Sequence, residues 1–322
     1  MSFDPPLAAV REAVARALAE DLGPLGDLTA ALLPPDVTAV ADIVPRSPGA
    51  LAGRLAAAEA FAAVDASVAV EWRAADGDEL EAGRAVATVT GRLASIVTAE
   101  RTALNFLGHL SGVATLTRRY AVLAAPARIR DTRKTTPGLR ALEKAAVRAG
   151  GGVNHRGSLS DGILLKDNHL ARLRDGNAAA RLRGENAAAR LRGGNAAARL
   201  SIAEAVARAR GRWPGRSVQV ECDTGAQVEE ALAAGADLVL LDNMTPVEVA
   251  ACVQLVGAAS VAERSGRCLV EVSGGVTLET VADYAAAGAD LVSVGALTHS
   301  APVLDLGLDV RPAWPERSGR EP

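Results

Sequence analysis

Apolar positions in the first third of the chain follow two rhythms. Leu7, Val10, Val14, Ala17 and Leu18 recur at helical spacing after Asp4-Pro5 and predict a helix over residues 7–20. Short alternating or β-branched runs come next: AVADIV at 39–44, SVAVEW at 67–72 and AVATV at 85–89. DGDEL and EAGRA between the last two read as turns, so the region predicts a small α+β unit with an antiparallel sheet. A long helix is expected over about 92–124.

The rhythm then changes. Strand-like runs alternate with helical segments: ARIRDT near 127, GILLK at 162, SVQVE at 217, DLVLLD at 237, CLVEVS at 268 and DLVSVG at 290. Near-continuous Val/Leu runs predict parallel strands buried on both faces under helices. Ala-Gly-Ala-Asp recurs as the turn from helix into strand, at 234–237 and 287–290. Such a repeat builds either a barrel or a doubly wound sheet. Arg133-Lys134, Lys166, Glu221, Asp242, Ser273-Gly274 and Gly295 each follow a different expected strand at its carboxyl end, where a (β/α) barrel assembles its site. The Gly-rich dinucleotide turn of a doubly wound sheet is missing after the first strand. The expected fold is therefore α/β: an N-terminal α+β sandwich domain plus an open, incomplete α/β barrel.

Composition narrows the class. With 2% aromatic residues, the core must be built from Ala, Val and Leu. A net charge of -3 supplies no field to recruit nucleic acid or membrane. Cys222, Cys252 and Cys268 are odd in number, lack CxxC spacing and lie in apolar runs. Buried free thiols in a reducing cytoplasm fit them better than disulfides or a metal site. No apolar run reaches membrane-spanning length, and MSFDPPLAAVREAV lacks a signal-peptide layout, so a soluble cytoplasmic protein is expected.

The candidate chemistry begins with cations. Arg133, Lys134, Arg140, His155, Arg156 and Lys166 lie between Asp131 and His169 in Gly-rich and Thr-rich turns. Arg grips carboxylates and phosphates bidentately and Lys adds a compact charge, which suits a small polyanion. An ordinary basic surface loop is the plainer alternative. Glu221 and Asp242 end neighbouring expected strands and could hold Mg²⁺ with waters and a substrate phosphate, or could simply cap the helices that follow. SGGV at 273–276 and VGALTHS at 294–300 place Gly and Ser just before helical segments, where backbone N–H groups can take a phosphate. GGGVNHRG lacks GxxxxGK[ST], which argues against an ATPase, and no HExxH spacing supports zinc. His155 could donate to an anion, act as an acid–base group or be merely solvated.

Seven segments, in order, carry a family resemblance: ERTALNFLGHLSGVAT at 100–115, DTRKTTPGLR at 131–140, GGGVNHRGSLSDGILLKDNH at 150–169, VE at 220–221, LDNM at 241–244, EVSGGV at 271–276 and SVGALTHS at 293–300. Together with EDLGPLGDLT at 20–29, they resemble quinolinate phosphoribosyltransferase. The resemblance implies transfer from 5-phosphoribosyl 1-pyrophosphate to quinolinate with decarboxylation, aided by Mg²⁺, in a homodimer. It implies that Arg133, His155, Arg156 and Lys166 surround the pyridine dicarboxylate, with Thr132 beside them and Arg101 reaching in from the neighbouring subunit. Lys134, Lys166, Glu221 and Asp242 are the implied catalytic set, with Glu221 and Asp242 holding the metal directly or through water. Ser273, Gly274, Gly275, Val294, Gly295 and Ala296 would hold phosphate. A paralogue taking another substrate, such as the homologue found at molybdate-transport loci, and a non-catalytic barrel binding protein are the alternatives.

On this reading residues 1–115 form the sandwich domain, with 297–310 packing on it, and 116–296 form the barrel domain. The chain departs from the family at 171–199, an Arg-rich insertion holding NAAARLRGE, NAAARLRGG and NAAAR in tandem. Nine residues turn a helix by two and a half turns, so Leu182 and Leu191 would face opposite sides and no single apolar face forms. An exposed loop expansion is expected there, and a disordered Pro-rich tail at 311–322.

Overall fold

The computed structural model describes residues 3–172, 201–263 and 267–311. Residues 173–200 and the tail beyond 311 lie outside the described residues, and with them the expectations for the repeat and the C-terminus. The chain divides into two compact units: Met1–Val122 with Arg130–Gly157 and Gly295–Pro322, and Leu123–Ile129 with Ser158–Val294.

In the first unit, helix α1 (Leu7–Leu22) buries Val10, Ala13, Val14 and Leu18, the stripe that its spacing predicts. Strands β1 (Thr38–Pro45), β2 (Gly49–Ala50), β3 (Ala69–Trp72), β4 (Glu79–Leu80) and β5 (Ala87–Arg92) enclose helix α2 (Arg54–Val64) in sequence. The main sheet is antiparallel, and the last strand among the described residues, β12, pairs at one edge, in the order β12-β1-β5-β3. That strand, β12 (Leu306–Val310), sets Ala41 against Val310 and Pro45 against Leu306. β2 and β4 form a separate two-stranded ribbon, with β4 inside the DGDEL run that reads as a turn. Helix α3 (Leu93–Ala124) matches the expected long helix, and Gly112 on it faces the backbone of Pro302, where a Cβ would lie 2.0 Å from the carbonyl oxygen. Helix α4 (Arg140–Ala149) is the unit's other notable element. Its first residue is Arg140, so this cation opens a helix instead of belonging to a turn.

The second unit is a parallel sheet of β6 (Arg128–Arg130), β7 (Ile163–Leu165), β8 (Val218–Cys222), β9 (Leu238–Asp242), β10 (Leu269–Ser273) and β11 (Leu291–Ser293). Five lie within the expected strand runs, and β8 extends one residue past its run, to Cys222. The order β6-β11-β10-β9-β8-β7 pairs first strand with last, a circular sequence interrupted only between β6 and β7. That is an open α/β barrel. Between strands run helices α5 (Asp167–Arg172), α6 (Ile202–Arg212), α7 (Gly225–Ala233), α8 (Pro246–Glu263) and α9 (Val281–Ala286); α10 (Ala296–His299) follows β11 within the first unit.

The two Ala-Gly-Ala-Asp turns do the same work. Asp237 accepts the Val218 N–H at 2.7 Å and Asp290 accepts the Val270 N–H at 2.9 Å, each closing the first rung beside the strand it introduces. Alternation within strands then separates two environments. Val218, Val220, Val239, Leu241, Val270, Val272 and Val292 are fully buried on the face under the helices. The inner face is not the apolar one that the Val/Leu runs predict. Gln219 and Ser293 donate to the two oxygens of fully buried Glu271, at 2.7 Å for Gln219, and Glu221, Asp242 and Ser273 share this parity.

Candidate active site

In the first unit, the residues between Asp131 and Gly157 form two loops tied to α4. Asp131 is fully buried; its carboxylate accepts from Lys144 Nζ, from Asn154 Nδ2 at 2.6 Å and from the His155 N–H at 2.8 Å. Burial pushes the Asp131 carboxyl up and the Lys144 ammonium down, and the charge of each opposes the shift of the other. Arg156 N–H donates to His155 Nδ1 at 2.7 Å, which places the proton of a neutral imidazole on Nε2 and makes that nitrogen a donor.

The cations sort into two groups. Arg140 donates to Thr135 Oγ1 at 3.1 Å and to the Gly157 carbonyl at 3.2 Å, and Arg148 donates to Asn154 Oδ1 at 2.6 Å. Both hold loops together. Arg133 and Lys134 are exposed and form no ion pair among the described residues. Thr132 Oγ1 accepts from the Lys134 N–H at 3.0 Å, and the Lys134 carbonyl accepts from Thr298 Oγ1 at 2.8 Å. Gly295 starts that same turn, with Lys134 Cδ 3.3 Å from where its Cβ would be. Thus Thr132, Lys134, Gly295 and Ala296 are brought together, whereas Arg101 stands exposed on α3 away from any ionic partner among the described residues.

In the second unit, Lys166 Nζ pairs with Glu221 Oε2. The lysine side chain is 42% exposed and the glutamate 12%, so the carboxylate is the fixed member. Capping of the next helices does not explain the two acids. Thr224 and Gln227 form the capping box of α7, and Thr245 and Glu248 exchange the equivalent bonds at α8. Asp242 instead accepts from Asn243 Nδ2 at 2.7 Å.

Asn243 is a residue that sequence reasoning passes over. Its φ of 55° is the one positive value at a non-glycine among the described residues, and its N–H reaches the Ser273 carbonyl at 2.9 Å. The neighbouring Gly274 has φ 101°, and a Cβ there would lie 2.1 Å from Asn243 Oδ1. Only glycine fits. Strand ends Asp242 and Ser273 are also paired in register. Helix α9 begins at Val281, after a Thr277–Thr280 turn, so SGGV does not open a helix as expected; its candidate donors are loop amides.

Comparison with known proteins bears out the family resemblance. Residues 27–111 match the N-terminal domain model of quinolinate phosphoribosyl transferase, and residues 113–192 and 193–309 match its C-terminal domain model. A nicotinate-nucleotide pyrophosphorylase [carboxylating] from Mycobacterium leprae is 40% identical over 308 residues, 94% of this chain and 97% of that protein. A quinolinate phosphoribosyltransferase [decarboxylating] from Nicotiana tabacum is 36% identical over 91% of this chain and 80% of its own. Among solved structures, the nicotinate-nucleotide pyrophosphorylase of Francisella tularensis superposes with a TM-score of 0.80 at 32% identity, covering 96% of this chain and 98% of that one. The Ehrlichia chaffeensis enzyme of the same description gives 0.78 at 32% identity, covering 93% and 98%. With both domain models matched in order and the Mycobacterium leprae relative aligned over 97% of its length, the chain belongs to the quinolinate phosphoribosyltransferase family.

Proposed function

We propose that this protein transfers the phosphoribosyl group of 5-phosphoribosyl 1-pyrophosphate to quinolinate, releasing pyrophosphate and CO₂ and forming nicotinate mononucleotide. One observation carries the assignment to specific residues: Arg133 and Lys134 form no ion pair among the described residues, whereas Arg140 and Arg148 are consumed in holding the loops. Cations fixed at the main chain but unneutralised at the side chain suit a dianionic substrate.

Arg133, His155, Arg156 and Lys166 take the two carboxylates, with Thr132 shaping the turn and His155 donating from Nε2. The ring nitrogen attacks the ribose C1 as the bond to pyrophosphate breaks. Lys134 meets the charge developing on the leaving group, and Ser273, Gly274, Gly275, Val294, Gly295 and Ala296 hold phosphate through backbone donors. The 2-carboxylate then departs as CO₂, its bonding electrons remaining on ring carbon beside the cationic nitrogen until a proton is added. No covalent nucleophile is required; orientation and exclusion of water are the protein's tasks.

The donor set fits Mg²⁺ bound through substrate. No group of three or more His, Cys, Asp or Glu capable of holding a metal exists among the described residues, and Mg²⁺ commonly uses one or two carboxylates plus phosphates and water. Glu221 is already matched by Lys166, while Asp242 has only the neutral amide of Asn243 among the described residues, which makes Asp242 the stronger anchor. When bound, the ion supplies charge neutralisation on pyrophosphate.

We also propose a homodimer in which Arg101 serves the neighbouring subunit, and a cytoplasmic setting, which suits three buried free thiols. The test of activity is incubation with quinolinate, phosphoribosyl pyrophosphate and Mg²⁺, following CO₂ and mononucleotide. Product from both substrates is expected; no CO₂, with another base accepted in place of quinolinate, overturns the assignment.

A further inference from the structure

Helix α4 buries charges where an amphipathic helix ordinarily buries apolar groups. Glu143 is 0% exposed and Lys144 is 6% exposed, yet as sequence neighbours they project in different directions. Each reaches a different site loop. Glu143 accepts the Thr136 N–H at 3.1 Å with one oxygen and meets His109 Nε2 at 2.9 Å with the other. Lys144 Nζ donates to the Asp131 carboxylate and to the His155 carbonyl at 2.9 Å.

The second arrangement is specific to one residue and holds the peptide units on both sides of it. The same ion pair grips His155 at both ends: Asp131 accepts its N–H at 2.8 Å and Lys144 donates to its carbonyl. Asn154 adds a brace, donating to Asp131 at 2.6 Å and to the Lys144 carbonyl at 2.9 Å. A buried ion pair contributes little net stability compared with well-packed apolar residues, because desolvation offsets the attraction. What it does supply is direction, since a charge pair with hydrogen bonds to one backbone unit tolerates few orientations of that unit.

We propose that Lys144, with Asp131 and Asn154, is a positioning residue that fixes His155 and Arg156 for the quinolinate carboxylates, and that Glu143 does the same for the Thr132–Thr136 loop carrying Arg133. This rests on the proposed function and adds the residues behind its binding loops. Lys144→Met removes the charge at nearly constant volume. Because small misplacement of a binding group is amplified in rate, the quinolinate KM should rise by about tenfold or more while the phosphoribosyl pyrophosphate KM stays within about twofold. Glu143→Gln keeps an acceptor for Thr136 and should approach wild type, whereas Glu143→Leu should raise the quinolinate KM.

The control is Val14→Ala, a cavity in fully buried α1 packing of the same unit, which should lower the Tm and leave both KM values alone. If Lys144→Met does not accumulate as folded protein, Asn154→Ala, which leaves both charges paired, decides by the same split. Folded Lys144→Met, Asn154→Ala or Glu143→Leu with an unchanged quinolinate KM, or Lys144→Met or Asn154→Ala whose two KM values rise together, overturns the positioning role. A wild-type protein that forms no product from the two substrates overturns the activity instead, so the two failures are distinguishable.

Discussion

At the scale of single residues, the site is defined by which polar groups are already satisfied. Arg140 and Arg148 spend their donors on loop carbonyls and side chains, and Arg133 does not. Arg133→Ala should therefore raise the quinolinate KM and lower turnover, losing about 1.5–3 kcal/mol of transition-state binding, the range for a hydrogen bond to a charged group. Steady-state kinetics with each substrate varied will measure it, and near-wild-type constants would remove Arg133 from the pocket. The thiols give a second expectation. Burial pushes the Cys222 thiol up to about 12 and the Cys268 thiol up to about 11, and burial raises Cys252 as well. A thiol reagent at mildly alkaline pH should find no reactive cysteine among these three in the native protein and all three after denaturation. Rapid native labelling of Cys222, which adjoins Glu221, would contradict its burial.

At the scale of elements, strands were more legible than the polar surfaces between them. The six strand-like runs each became a parallel strand, five of them rich in Val and Leu, because an apolar outer face under helices is required whatever the site does. Gln219 and Glu271 were hidden inside those runs, since an isolated polar residue between valines leaves a sequence that still reads as apolar. Helix α4 shows the opposite trap: its charges suggest a solvated face, but Glu143 and Lys144 point inward to loops more than one turn of chain away. Asn243 carried no spacing signal at all, because left-handed backbone is a property of the folded turn. The β1–β12 edge allows a pH test. Arg311, just after β12, donates twice to Asp42 on β1, and with Thr88 and Arg73 it holds the Asp42 carboxyl below its usual 3.8. A depressed folded value means that this contribution is complete above 3.8 and is lost as the pH falls through the lower value in the folded state. The Tm gap between wild type and Asp42→Asn should thus be full near neutrality and close in acid. With Arg311 51% exposed, the gap should also shrink with salt. A gap independent of both would assign Asp42 a packing role only.

At the scale of the whole molecule, the question is whether one chain contains a complete site. Arg101 lies on the surface of α3 without an ionic partner among the described residues, so the proposed dimer gives it a substrate carboxylate in the neighbouring subunit. Closed two-fold symmetry makes the consequence quantitative. Arg101→Ala and Lys166→Ala should each be nearly inactive as pure proteins, because every site in either dimer lacks one cation. In a mixed dimer, one site combines Lys166 of the first subunit with Arg101 of the second and is whole, while the other site lacks both. Random exchange of equal amounts makes about half the dimers mixed, each with one good site, so about a quarter of wild-type turnover should return. The measurement is activity after mild dissociation and re-association of the two variants, with each variant alone carried through the same cycle. If Arg101 instead acts on its own subunit's substrate, no combination of the two chains contains both cations in one site, and mixing restores nothing.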